Sequence, residues 1–181
     1  MKIIEKLLTV NPYSRPGKAL APVKGIVVHW VANPKTTVEQ NRNYFESLKH
    51  GVDERYAGAH FIIGLEGEVL QCLLENEVGY HVGAQKYTER ALQELSSYPN
   101  NCTLGIELCH TNWEGEFTEA TLESAKELIR ELCERYNLGR RNVYRHFDIT
   151  GKDCPKYFVA HEDQWIQYLN FVFCEKNETA E

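Results

Sequence analysis

The chain has 181 residues, 43% of them apolar and 25% charged, with a formal net charge of −6. That length suits one globular domain with a sizeable core. The acidic balance argues against a nucleic-acid partner gripped through its phosphates, which needs a basic face. No apolar run approaches roughly 18 residues, so no membrane insertion is expected. Met1 to Leu8 is too short and too charged for a secretory signal, which makes the cytoplasm the expected location of the chain when made. The six cysteines fall mostly within apolar periodic segments, as reduced thiols do. Cys102 and Cys109 are left open as a pair, since their spacing permits a bridge in an oxidising compartment.

In chain order, residues 1–21 read as an N-terminal arm, with Asn11-Pro12-Tyr13-Ser14-Arg15-Pro16-Gly17 rich in turn formers that exclude a helix interior. Lys24 to Trp30 is a short β-branched run that predicts a buried strand ending at His29. Thr37-Val38-Glu39-Gln40 has the form of a capping box, and Val38, Asn41, Tyr44, Phe45 and Leu48 share one face of a helix over 37–49. Ala59 to Gly64 and Glu68 to Leu73, joined through Gly67, predict a β-hairpin. Thr103 to Cys109 is again strand-like, yet carries Glu107 among apolar residues.

Thr118 is placed to cap a long helix, with Phe117 and Leu122 spaced as a hydrophobic staple. Leu122, Ala125, Leu128, Ile129, Leu132, Cys133 and Tyr136 then recur at three- and four-residue steps until Asn137 and Gly139. A last helix over 160–174 shows Trp165, Tyr168, Leu169 and Val172 on one face, before a polar tail over 175–181 expected to fray. Strands interleaved with helices predict an α/β fold with a central mixed β-sheet flanked by helices, its core over 22–174. The whole chain is expected to be one domain, with no linker or second domain following.

The chemistry concentrates in Arg145-His146-Phe147-Asp148-Ile149-Thr150-Gly151-Lys152-Asp153-Cys154-Pro155, which reads as a loop holding an imidazole and a thiol. Both are strong zinc ligands, and His29 at the end of a strand is the best third donor. Two neutral imidazoles and a thiolate leave one coordination position for a water of lowered pKa. Asp148 and Asp153 are rival oxygen donors, and Asp148 is alternatively a turn cap. If Glu107 faces the metal, it is the general base. Lys152, close to a ligand, suits stabilisation of an oxyanion. His81, between glycines in Val78-Gly79-Tyr80-His81-Val82-Gly83, is either a groove wall touching substrate or a locally bonded loop histidine. His50, His60, His110 and His161 have no assigned partner.

Gly25-Ile26-Val27-Val28-His29-Trp30, Ala59-His60-Phe61-Ile62-Ile63, Tyr80-His81-Val82-Gly83, Leu104-Gly105-Ile106-Glu107-Leu108 and Arg145-His146 through Cys154-Pro155 together resemble the zinc-dependent N-acetylmuramoyl-L-alanine amidases of the type-2 amidase and peptidoglycan-recognition-protein group. Within it the chain is most similar to catalytic domains of phage and prophage endolysins. The resemblance implies one zinc ion held by His29, His146 and Cys154, with Glu107 and Lys152 catalytic. It implies a peptidoglycan or muropeptide substrate, cut between the lactyl group of N-acetylmuramic acid and L-alanine, and action on the cell wall after release. One departure stands out: where some phage members carry a catalytic tyrosine before the hairpin histidine, this chain has Ala59. The rival expectations are a muropeptide-binding module without catalysis and a zinc peptidase acting on the stem peptide.

Overall fold

A computed structural model describes residues 2–174; the polar tail over 175–181 lies outside the described residues. The strands are β1 (Ile3–Glu5), β2 (Gly25–Trp30), β3 (Phe61–Ile63), β4 (Val69–Gln71), β5 (Thr103–Leu108) and β6 (Val143–Arg145). The helices are α1 (Val38–Ser47), α2 (Glu89–Glu94), α3 (Glu119–Tyr136), α4 (His146–Thr150), α5 (Lys156–Ala160) and α6 (Glu162–Phe173). The strands form one sheet in the order β1-β4-β3-β5-β2-β6. The β3–β4 hairpin is antiparallel and every other pairing is parallel, so the sheet is mixed, as expected.

Strand periodicity decides what each face carries. From β5, Leu104, Ile106 and Leu108 join Ile26 and Val28 of β2 in an apolar layer against α3 and α6. The buried face of α3 is Ala125, Leu128, Ile129, Leu132 and Cys133, and that of α6 is Trp165, Tyr168, Leu169 and Val172. On the other face, Ile62 and Leu70 pack with Val38 and Phe45 of α1, while Val27 and Tyr144 pack with Ala91 of α2 and Ile149 of α4. Thr103, Gly105 and Glu107 alternate with the apolar residues of β5 and therefore lie on this second face. Glu107 is thus a residue whose side chain leaves the core, which explains a carboxylate inside a strand.

The caps follow the sequence closely. Thr37 Oγ1 accepts from the Gln40 N–H at 3.2 Å and the Gln40 side chain accepts from the Thr37 N–H at 2.9 Å, completing the capping box. Thr118 Oγ1 accepts from the Thr121 N–H at 3.0 Å, and Asn137 ends α3 in the left-handed conformation.

Three findings depart from the sequence reading. The arm begins as a strand: Ile3 to Glu5 pair in parallel with Val69 to Gln71 and extend the sheet. The expected helix over 160–174 is preceded by a separate α5, with His161 between the two. The segment expected as a loop from Arg145 starts with a strand end and a helix. The Asp148 carboxylate accepts from the Arg145 N–H at 2.7 Å and nucleates the first turn of α4, which Gly151 closes at φ 77°. Cys102 and Cys109 are both buried free thiols at opposite ends of β5, about 23 Å apart at strand rise, well beyond disulfide reach.

Candidate metal centre and cleft

Parallel strands bring their carboxyl ends to one edge of the sheet, and ligands in open α/β sheets bind at that edge. Here β2 lies between β5 and β6, so His29 near the end of β2 is flanked by Glu107, its register partner on β5, and by His146, the first residue beyond β6. Cys154 returns to the same place because its carbonyl accepts from the Phe147 N–H at 2.9 Å, closing the chain back onto α4. Among the described residues, His29, His146 and Cys154 form the one cluster of potential metal donors, with ligand atoms all within 4.8 Å of one another. His29 Nδ1 lies 3.1 Å from His146 Nδ1 and 3.7 Å from Cys154 Sγ.

Asp148 and Asp153 are not part of that cluster. Asp148 is occupied as the α4 cap and in an ion pair with Arg145 at 2.8 Å, the turn-capping role that was its alternative.

The electrostatics suit a cation. Burial first, then the neighbouring charges of His146, His81 and Lys152, holds His29 well below the ordinary imidazole value. Burial and then Lys152 hold His146 down at about 3. Both rings are therefore neutral and offer lone pairs. Burial, then the nearby Glu107, pushes the Cys154 thiol far up, against smaller opposing effects of the Trp30 backbone and Lys152. A thiolate there needs a compensating positive charge beside it, which a divalent ion provides. Two imidazoles and a thiol are a donor set that zinc accepts, with room for a fourth ligand.

The three donors and Glu107 lie on a cavity of about 470 Å³, which Lys152 also lines. Glu107 Oε2 and His110 Nε2 are the two buried side-chain polar atoms that lack a hydrogen-bond partner among the described residues. Burial raises the Glu107 carboxyl to about 8, with Lys152 pulling the other way. Trp30, Tyr44, Tyr56, Tyr80 and Tyr98 supply aromatic walls, and Asn41 and Arg55 supply polar ones. The sequence reading missed these wall residues. The polar Asn41 on the apolar face of α1, one turn before Tyr44, was the visible signal, whereas Tyr56, Tyr80 and Tyr98 come from loops whose placement no local pattern predicts. Ala59, at the start of the hairpin segment, is fully buried.

His81 also reaches the cavity wall, but it is only 7% exposed and both ring nitrogens face protein. His60 is likewise fully buried: its Nδ1 accepts from the Gly105 N–H at 3.0 Å, and its Nε2–H donates to the Glu77 carbonyl at 2.9 Å.

An α/β domain with a His-His-Cys cluster beside a carboxylate at the carboxyl edge of its sheet defines a candidate metallohydrolase. The family model described as N-acetylmuramoyl-L-alanine amidase matches residues 19–157, and the chain belongs to that family. It is 37% identical over 164 residues to a probable N-acetylmuramoyl-L-alanine amidase of Bacillus licheniformis, a match spanning 91% of this chain and 45% of that protein. It is 32% identical over 172 residues to the N-acetylmuramoyl-L-alanine amidase CwlL of the same species, spanning 95% of this chain and 47% of that protein. The chain thus spans about half the length of the curated relatives it matches. A mutant endolysin from Bacillus subtilis superposes with a TM-score of 0.72 at 26% identity, covering 94% of this chain and 98% of that one.

Proposed function

We propose that this domain is a zinc-dependent N-acetylmuramoyl-L-alanine amidase, which hydrolyses the amide between the lactyl group of N-acetylmuramic acid and L-alanine in peptidoglycan. The observation that carries this reading is the convergence of His29, His146 and Cys154 with the unpartnered Glu107 carboxylate oxygen at one cavity. On this reading the single α/β domain is the catalytic unit, it takes one zinc ion on those three residues, and it acts on the cell wall after release. When bound, the ion supplies Lewis acidity to a carbonyl oxygen and lowers the pKa of water.

The chain's own residues then divide the remaining work. Glu107 takes the proton of the attacking water and returns it to the leaving amine, the exchange for which a carboxyl raised by burial is suited. Lys152, on the cavity and exposed, supplies positive charge to the developing oxyanion. The aromatic walls present flat faces to an extended sugar-peptide chain.

Digestion of purified peptidoglycan followed by mass spectrometry tests the reaction. Free stem peptides beginning with L-alanine are expected. New reducing sugar ends, or cuts within the peptide, would replace the amidase reading with a glycosidase or peptidase one, and tight muropeptide binding without turnover by zinc-replete protein would replace it with a binding module. Cys154→Ser is expected to lose bound zinc and activity together; an active, metal-free variant would overturn the ligand assignment.

A further inference from the structure

We propose that His81 is a positioning residue for His29: with Thr103, it sets the His29 tautomer so that Nδ1 is the nitrogen offered to the metal. The inference rests on the zinc reading for its consequence, while its geometry stands without any ion.

The Thr103 hydroxyl donates its proton to the Pro99 carbonyl at 2.8 Å. Toward His81 Nε2 that residue therefore presents acceptors only, its carbonyl at 3.2 Å and its hydroxyl oxygen at 3.3 Å. His81 Nε2 must carry the ring proton, because a neutral imidazole has one donor and one acceptor. His81 Nδ1 is then a bare acceptor, and it faces His29 Nε2 at 3.1 Å. His29 accordingly donates from Nε2, and its lone pair resides on Nδ1, the atom that faces His146 and Cys154. Two hydrogen bonds thus transmit the fixed polarity of a strand carbonyl to a ligand atom.

The relay is built rigidly. The Asn100 Oδ1 accepts from the backbone N–H of both His81 and Val82, at 3.1 and 2.9 Å, and Asn100 is fully buried. The His81 ring packs closely against Gly105, where an added Cβ would sit 2.6 Å from His81 Cγ. His60 meets the same ring edge-on, with centroids 5.8 Å apart. Outer partners that orient a metal-binding histidine typically change metal affinity by roughly 10–100-fold when removed.

Two measurements test this. In long-range proton–nitrogen NMR of the metal-free protein, His29 and His81 are both expected as the Nε2–H tautomer; His29 as the Nδ1–H tautomer would overturn the proposal. In chelator competition for zinc, His81→Leu should bind roughly 10–100-fold more weakly, whereas His81→Asn, which places an amide oxygen at the δ position, should retain most of the affinity. Unchanged zinc affinity in His81→Leu, with only KM for a muropeptide raised, would instead make His81 a substrate contact and overturn the relay. If His81→Leu does not fold, the NMR of the unmodified protein decides alone. Should the unmodified protein bind no zinc, the zinc reading fails while the tautomers still judge the relay.

Discussion

Gly105→Ala places one methyl group between a central strand and the ring that orients His29. The added Cβ would lie 2.6 Å from His81 Cγ and 2.8 Å from its Nδ1, where ordinary contact begins at 3.4 Å, a shortfall of 0.8 Å. The strand cannot yield, because β5 is hydrogen-bonded to β3 on one side and β2 on the other. The ring must move, yet Asn100 holds its backbone and Thr103 holds its far nitrogen. Displacement by most of an ångström stretches the 3.1 Å bond to His29 beyond hydrogen-bond range. Overpacking of this kind costs about 1–3 kcal/mol, which for a chain of this length lowers Tm by roughly 2–4 °C per kcal/mol. Thermal unfolding of the metal-free protein measures the first effect, and zinc competition the second, with affinity expected to fall along with Tm. Gly139→Ala is the control, since a Cβ there meets nothing within 4 Å and its φ of −128° suits any residue. A Gly105→Ala protein with unchanged Tm and unchanged zinc affinity would refute the seating of His81 on the strand.

Glu107→Gln keeps the shape of the carboxylate and removes its basicity. It is expected to lower kcat by roughly 10²–10⁴-fold with zinc retained, measured by release of stem peptides alongside metal analysis; loss of zinc in this variant would make Glu107 a ligand. Burial alone would raise Glu46, but hydrogen bonds from Lys49 and Thr9 and the charge of Arg42 hold it down at about 2. The Thr9 hydroxyl and N–H reach it at 2.6 and 3.0 Å. A carboxyl depressed in the fold stabilises it fully above its unfolded value of 4.5, and that contribution is lost as pH falls through the window down to about 2. Denaturant unfolding of wild type and Glu46→Gln should therefore differ above pH 4.5 and converge as pH drops; a pH-independent difference would remove Glu46 from the tether between the arm and α1.

Local regularities were legible because they repeat over short distances. The capping box at Thr37, the apolar stripe of α3, and the alternation that turns Glu107 away from the core each involve residues within a few positions of one another, where propensity and periodicity act directly. A histidine ending a β-branched run, and a histidine and cysteine in one polar segment, were visible as donors for the same reason. The outcome at Asp148 was not readable in advance, since a loop aspartate serves equally as cap or ligand until the direction of its side chain is known. The three residues of β1 carry too little pattern to announce a strand; they become one because β4 offers an unpaired edge.

What the sequence by itself determined is the inventory: two imidazoles, a thiol, a carboxylate and a lysine, with enough periodic apolar residues to build a layered sheet around them. Tertiary structure alone decided their register. His29 stands beside Glu107 because β2 and β5 pair in parallel with those two residues opposite one another, and the His29 Nδ1 that faces His146 and Cys154 is distinguished from Nε2 by the Thr103 carbonyl at the far end of β5, acting through His81. Hydrogen-bond polarity passes between strands and loops distant in the chain, so no local pattern of residues encodes it.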